Sequence, residues 1–364
     1  MILVNCKLVL MKKKIVYFVP NNSTFIRRDI DMLSKDFIVS FFDLKQGNKF
    51  TLLPRLGLQG LFILKHCFSA NLFICHFAGY SSFLPVLLGR MFSIPCLIIV
   101  AGADASRFPV FNYGNFAKRI YAFFTSVSLR FATHILPVHE SLVMQQYDFD
   151  PGGEPVQGYQ AFAKKTNKVP YTPIYYGYDS KQFKAVAGID RKDLSFITVG
   201  NLSQKDVFIR KGFDLIIELA KRKKELSFTL VGWSGRRIEG LPDNLTLLPF
   251  MNQDELIRLL SGHTFYFQLS VMEGFPNALC EAMLCGCVPV GSNVSGIPFI
   301  IGDTGFLLKK RNIDELEMLV NKAIESTDLP MLSEKARQRI ANNFSEELRR
   351  ERFNQIIHQY INPA

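Results

Sequence analysis

The chain lacks any uninterrupted apolar run of the roughly 20 residues that a membrane-crossing helix needs. Residues 83–101 (FLPVLLGRMFSIPCLIIVA) come nearest, but Arg90 and Pro95 break them. They read instead as a buried helix and a strand joined by a short turn. Met11 to Pro20 (MKKKIVYFVP) has the basic start of a signal peptide, yet its apolar run falls short of the roughly 7–15 residues of such a segment. It reads as the first strand, with Met11 an alternative start of the chain. Cysteines are scattered, at positions 6, 67, 75, 96, 280, 285 and 287. Only Cys285 and Cys287 are close together, and without a second pair nearby they do not make a zinc site. An odd number of thiols with no secretion signal fits a reducing cytoplasm. Also absent are the glycine-rich dinucleotide turn G-x-G-x-x-G, which argues against a dehydrogenase, any fixed-period repeat, and any low-complexity tract.

What is present is a chain of 364 residues, 48% hydrophobic and 21% charged. That length exceeds what one core usually supports, so two domains and a cleft between them are expected. The net charge of +11 is uneven. Residues 1–180 hold 19 Lys and Arg against 10 Asp and Glu, whereas residues 181–364 hold 24 against 22. The basic first half could attract an anionic membrane surface or a phosphorylated acceptor, or could carry no more than solvated lysines. A nucleic-acid partner is not expected, because basic residues interleaved with aromatics on one surface are not evident.

Apolar strands alternate with amphipathic helices along the first half. Strands are expected at 14–19, 37–42, 72–76, 96–101 and 134–138, and helices at 25–34, 56–68, 82–92 and 115–131. From about 148 to 172 this pattern stops at a loop or insertion rich in Pro, Gly and Lys. A second series then starts: strands at 194–199, 227–231, 245–248, 264–269 and 287–290, with helices at 212–223, 253–260 and 277–285. Two helices close the chain. Alternation of this kind argues for parallel βαβ units and two doubly wound α/β domains.

The most informative stretch runs from Leu269 to Gly305. A strand ends near Ser270, the chain turns through Glu273-Gly274-Phe275-Pro276-Asn277, and a helix begins. Pro276 suits the opening of a helix, where its missing N–H costs nothing. The unpaired amides at such a helix start can hold a diphosphate or sugar hydroxyls. Glu281, about one turn further in, can accept hydrogen bonds from a vicinal diol such as a ribose. By themselves the two glutamates could equally be a dipole partner and a solvated side chain.

The whole string EGFPNALCEAMLCGCVPV resembles the E-x7-E signature of the family 4 retaining glycosyltransferases. The likeness continues at Ser295-Gly296-Ile297-Pro298 and Thr304-Gly305-Phe306-Leu307. Upstream it takes in Val199-Gly200-Asn201 with Arg210-Lys211-Gly212-Phe213, and Tyr176-Gly177-Tyr178-Asp179 with Phe183 at the hinge. Two departures stand out: Asn201 replaces an arginine, leaving Arg210 or Lys205 to supply that charge, and Phe299 replaces a glutamate.

The resemblance implies two Rossmann-like doubly wound domains facing across a cleft, the GT-B arrangement. Residues 1–175 would form the acceptor side and 176–340 the nucleotide-sugar side, with 341–364 a helix returning to the first domain. It implies retaining transfer of a sugar from a nucleoside diphosphate donor to an acceptor hydroxyl, with Lys211 and Arg210 neutralising the departing diphosphate. Glu281 would hold the ribose, and Glu273 would position the sugar. Gly274, Phe275, Pro276, Asn277, Ser295 and Gly296 would complete the donor site. Asp104, after the fourth strand, is placed nearest the transferred sugar, or else merely caps the segment that follows it. Asn22, Arg27, Arg28 and His76 are acceptor-side candidates. Arg27 and Arg28 would contact a charged acceptor or the donor phosphates, or else lie on a solvated helix face. His76 would face the cleft, although a lone histidine on a strand is more often structural. No metal ion and no other cofactor is expected. The acceptor would be a glycan or lipid-linked glycan in cell-surface polysaccharide or glycolipid synthesis, met in the cytoplasm, at or near the inner face of the membrane. A non-catalytic sugar-nucleotide or membrane-binding protein on the same fold is the competing reading.

Overall fold

A computed structural model describes residues 12–45, 49–201, 205–234 and 240–362. Five parallel strands form the first sheet: β1 (Lys14–Val19), β2 (Ile38–Asp43), β3 (Leu72–His76), β4 (Cys96–Val100) and β5 (His134–Pro137), in the order β2-β1-β3-β4-β5. They alternate with α1 (Thr24–Ser34), α2 (Lys49–His66), α3 (Tyr80–Met91) and α4 (Arg119–Phe131). β1, β3, β4 and β5 are almost wholly buried, as a parallel sheet covered on both faces requires. A small hairpin, β6 (Gln145–Gln146) with β7 (Val156–Gln157), and the single turn α5 (Tyr159–Phe162) occupy the stretch where periodicity fails.

The second sheet holds β8 (Lys192–Val199), β9 (Ser227–Val231), β10 (Leu245–Leu248), β11 (His263–Gln268), β12 (Val288–Ser292) and β13 (Phe306–Leu308), in the order β10-β9-β8-β11-β12-β13. Around it lie α6 (Lys205–Arg210), α7 (Phe213–Arg222), α8 (Gln253–Ser261), α9 (Asn277–Leu284), α10 (Ile297–Ile301), α11 (Ile313–Ile324) and α12 (Leu329–Asn343). The last helix is α13 (Glu346–Ile361), N-capped by the Ser345 side chain. The first strand order is that of flavodoxin-like sheets and the second that of dinucleotide-binding sheets. In both, ligands bind beyond the carboxyl ends of the strands where the order reverses. Those switch points lie between β1 and β3 and between β8 and β11.

Most expected elements appear within a few residues of their positions, with four corrections. Helix α2 begins at Lys49 rather than 56 and carries Pro54 inside it, at the loss of one intrahelical hydrogen bond. Three long helices close the chain, not two, and β13 adds an edge strand too short to show a period. A turn of 3-10 helix at Asn115–Ala117 precedes α4, which starts only at Arg119.

Helix α13 packs against α1 and β3 of the first domain. At the hinge, Tyr178 N–H donates to the Phe344 carbonyl at 2.9 Å and Glu346 N–H donates to the Tyr178 carbonyl at 3.3 Å. Gly177 allows that approach, since a Cβ there would stand 2.8 Å from the Glu346 Cα. Among the described residues, no helix is long and apolar enough to cross a membrane.

Candidate functional site

The two switch points face each other, and glycines set how closely. A Cβ on Gly274 would lie 2.3 Å from the Ala101 carbonyl oxygen beyond β4, and a Cβ on Gly296 would lie 2.2 Å from the Gly274 oxygen. Three backbone segments from both domains therefore meet with no room for a side chain between them. Gly274→Ala should destabilise the protein by about 1–3 kcal/mol, the usual cost of overpacking. Gly57→Ala, in α2 with open space around its Cβ site, should be neutral or stabilise by up to about 1 kcal/mol. Thermal melting of the two variants checks the contrast, and equal behaviour would refute it.

Gly212 positions the cationic side of the cleft. Its φ of 77° and a Cβ site 2.4 Å from the Leu269 carbonyl demand glycine between α6 and α7. Val271 N–H donates to the Arg210 carbonyl at 2.8 Å, which ties this turn to the loop after β11. Lys211 and Glu273 consequently form a close ion pair. Glu273 also accepts from the Ser270 hydroxyl at 3.1 Å. Burial works to raise the Glu273 pKa, but Lys211 and then Arg210 outweigh it, so the carboxyl is held below its ordinary range. The Arg210 guanidinium lies 4.1 Å from the ring centre of Tyr113, which reaches over from the first domain. Burial pushes the Tyr113 phenol up to about 12 despite that cation.

Phe275, Pro276 and Asn277 lead into α9, with Pro276 as the residue just before the helix. The Tyr178 hydroxyl donates to Asn277 Oδ1 at 2.8 Å, and Phe275 is buried against Tyr175, Tyr176 and Phe344. Glu281 meets Arg28 of the first domain, whose two terminal nitrogens both reach Oε1 at 3.2 Å. Burial raises the Glu281 pKa, and Arg28 only partly offsets it. Arg28 also lies over Phe183, 5.2 Å from the ring centre. Glu281, Arg28, Phe183, Asn277 and Met251 all border a cavity of about 400 Å³. Ser295, at φ 49°, accepts from the Gln145 side chain at 3.0 Å.

Two expectations about the first domain need correction. His76 does not face the cleft: it is fully buried, bonded to the Tyr17 hydroxyl at 2.9 Å and the Tyr176 hydroxyl at 3.1 Å. Burial holds its pKa down to about 4 even beside Asp29. Asp104 borders a cavity of about 230 Å³ with Pro20, Tyr80 and Asn115. Its carboxylate is nevertheless fully buried and accepts from the amides of Ala78, Ala101 and Gly102 at 2.9–3.0 Å. Burial raises its pKa to about 6 against those amides. It shapes the loop that meets Gly274 instead of offering a free carboxylate to a sugar. Arg27 is exposed and pairs with the Asn22 side chain at 2.9 Å.

The departures from the family pattern also find places. Asn201 is exposed at the end of β8, and the Lys205 side chain lies outside the described residues. Phe299 joins an aromatic cluster with His139, Tyr175 and Phe344, at ring separations of 4.9–5.7 Å. His139 and Tyr113 escaped the sequence reading. His139 stands just beyond β5 beside Gly296, with its pKa lowered to about 4 by burial. Its position at a strand's carboxyl end was the available signal. The sequence does contain two Asp-x-Asp strings, but Asp29 is paired with Arg349 and Asp150 with Arg311. Among the described residues, no three His, Cys, Asp or Glu side chains come together as metal ligands would.

Residues 179–345 match the family described as "Glycosyl transferases group 1". The chain is similar to N-acetyl-alpha-D-glucosaminyl L-malate synthase of Bacillus anthracis, 27% identical over 197 residues, which are 51% of this chain and 49% of that protein. It is also similar to the serotype-specific mannosyltransferase WbdA of Escherichia coli, 29% identical over 75 residues, 21% of this chain and 9% of that one. The chain thus spans about half the length of the first of these relatives and far less of the second. Sucrose-phosphate synthase from Thermosynechococcus elongatus superimposes with a TM-score of 0.77 at 15% identity, covering 97% of this chain and 100% of that one. Anabaena Alr3699/HepE in complex with UDP and glucose superimposes with a TM-score of 0.68 at 14% identity, covering 95% and 99%. At such identities the likeness is one of fold, and the fold is GT-B.

Proposed function

We propose that this chain, whose residues 179–345 form a glycosyl transferases group 1 domain, transfers a sugar from a nucleoside diphosphate sugar to an acceptor hydroxyl, with retention of configuration and without a metal ion. The observation that carries the reading is the pairing of Lys211 with Glu273 on the loop that leads into α9, the helix whose Asn277 and Glu281 border a cavity of about 400 Å³ at the switch point of the second sheet. In this reading the ribose binds at Glu281, where Arg28 occupies Oε1 and a ribose hydroxyl takes Oε2. The diphosphate lies between Lys211, Arg210 and the first amides of α9, where a cation and helix-start N–H groups stabilise charge on the leaving phosphate. The departing phosphate takes the acceptor proton, so no separate base is needed. The solved structure of Alr3699/HepE with UDP-glucose supports a nucleotide-sugar donor of that kind. The acceptor is proposed to be a glycan or lipid-linked glycan of cell-surface polysaccharide or glycolipid synthesis, met at the cytoplasmic face of the membrane.

Melting of the protein with each nucleoside diphosphate and its sugars tests the donor site. A ligand at 100 times its dissociation constant stabilises by about 2.7 kcal/mol. Glu281→Ala should weaken that ligand by roughly 10- to 100-fold, the worth of a hydrogen bond to a charged group. If no nucleotide stabilises the protein, or if Glu281→Ala responds as the native chain does, the donor site is not where this reading puts it.

A further inference from the structure

We propose that the outer face formed by α2, α3 and α4 docks on an anionic phospholipid bilayer. The strand order places these three helices on one side of the first sheet, because the crossovers β2 to β3, β3 to β4 and β4 to β5 all run in the same direction and share one hand. α2 packs on α3, and α3 on α4. Helix α1 and the returning α13 cover the opposite side of the sheet.

This layer leaves apolar side chains in solvent. Leu53, Leu58, Leu61 and Leu64 fall on one face of α2, and Phe68 continues that face just beyond its end. Phe68 is 93% exposed, Leu53 76% and Leu61 66%. Met91 at the end of α3 and Ile120 and Phe123 on α4 are exposed as well. A monomer rarely leaves so many large apolar side chains in solvent on one layer unless the layer meets something.

Charge identifies the occupant. Residues 44–139 contain nine Lys and Arg and a single carboxylate, Asp104. That carboxylate is fully buried, so the layer presents no acidic side chain to solvent. Lys65, Arg90, Arg119 and Arg130 are exposed around the apolar side chains. Apolar side chains ringed by cations with no anion among them suit the boundary between acyl chains and anionic headgroups. A second copy of the same face would bring like charges together, which disfavours self-association. The inference rests on the proposed function only for its purpose, because it would hold the cleft beside a lipid-linked acceptor. Binding itself is measured without donor.

The test is sedimentation of the intact chain with vesicles of phosphatidylcholine alone and of phosphatidylcholine mixed with phosphatidylglycerol. The native chain is expected to sediment with the mixed vesicles, and to bind about fivefold more weakly for each cation neutralised among Lys65→Gln, Arg119→Gln and Arg130→Gln. Leu61→Ser with Phe68→Ser should weaken binding by about tenfold or more, as lost apolar contact implies. All variants should keep the melting temperature and the nucleotide-induced shift of the native chain, so a failure of donor binding would be seen separately. No sedimentation with the mixed vesicles overturns the proposal. So does binding that survives the apolar double substitution, or a native dimer in light scattering that Leu61→Glu dissociates.

Discussion

Lys211→Ala is expected to slow sugar transfer by on the order of 10²- to 10³-fold, the usual consequence of removing one group that stabilises charge developing in a transition state. The diphosphate gains charge as the glycosidic bond breaks, and Lys211 is the side chain paired with the carboxylate at the turn where the diphosphate is proposed to lie. Nucleoside affinity should change far less, since the ribose subsite proposed at Glu281 lies one turn into α9, on the other side of the loop. Removing the lysine also leaves Glu273 without its close partner, which could displace the loop. Lys211→Ala combined with Glu273→Gln should recover stability, and Glu273→Gln alone gives the share of the slower transfer that comes from the carboxylate. Release of nucleoside diphosphate from the donor that stabilises the protein, measured beside melting, checks this. A variant that transfers within about threefold of the native rate would remove Lys211 from the reaction.

The second large effect is structural. Arg349 on α13 is buried in the first domain, where Nε and Nη2 donate to the two oxygens of Asp29 at 2.7 and 2.8 Å. Nη1 donates to the carbonyls of Ile174 and Tyr175 at 3.0 and 2.5 Å. The guanidinium also lies over Tyr176 and Phe353, 4.7 and 4.9 Å from their ring centres. Tyr17 and His76 complete the cluster around Asp29. One side chain therefore joins the last helix, the hinge and α1. Arg349→Met should cost about 3–5 kcal/mol, because it strands a buried carboxylate, whereas Arg349→Met with Asp29→Leu should recover most of that loss. Urea unfolding reads both, and a single variant within about 1 kcal/mol of the native chain would show that the pair does not hold α13 down. The partly exposed Arg350–Asp36 pair, two hydrogen bonds at 2.6 and 2.7 Å, should matter much less.

These two sites show what kind of residue a sequence makes legible. Glu273 and Glu281 sit in one strand-loop-helix unit after β11, but Lys211 belongs to the unit after β8, 62 residues earlier. It was the resemblance of both motifs to one family, not local pattern alone, that implied they share a neighbourhood. Arg349 and Asp29 are separated by 320 residues, and nothing in the amphipathic pattern of α13 says that one of its arginines is buried. His76 misled for the same reason. A polar residue at a strand's carboxyl end looks ready for a ligand, but Tyr17 and Tyr176, brought in from β1 and the hinge, bond to both of its nitrogens.

By itself the sequence determined the two alternating α/β series and the glycine-bearing turns. Each of these depends on hydrophobic period or backbone conformation over a few residues. The charged groups around the second switch point came from the resemblance of its motifs to a family. The tertiary structure alone decided which polar groups stay available. It placed Arg28 on Glu281, closed Ala101 against Gly274, and bound the Asp104 carboxylate with three amides of its own domain. Burial and pairing are set by segments far apart in the chain, and a charge or a hydrogen bond acts through space, whatever the distance along the sequence.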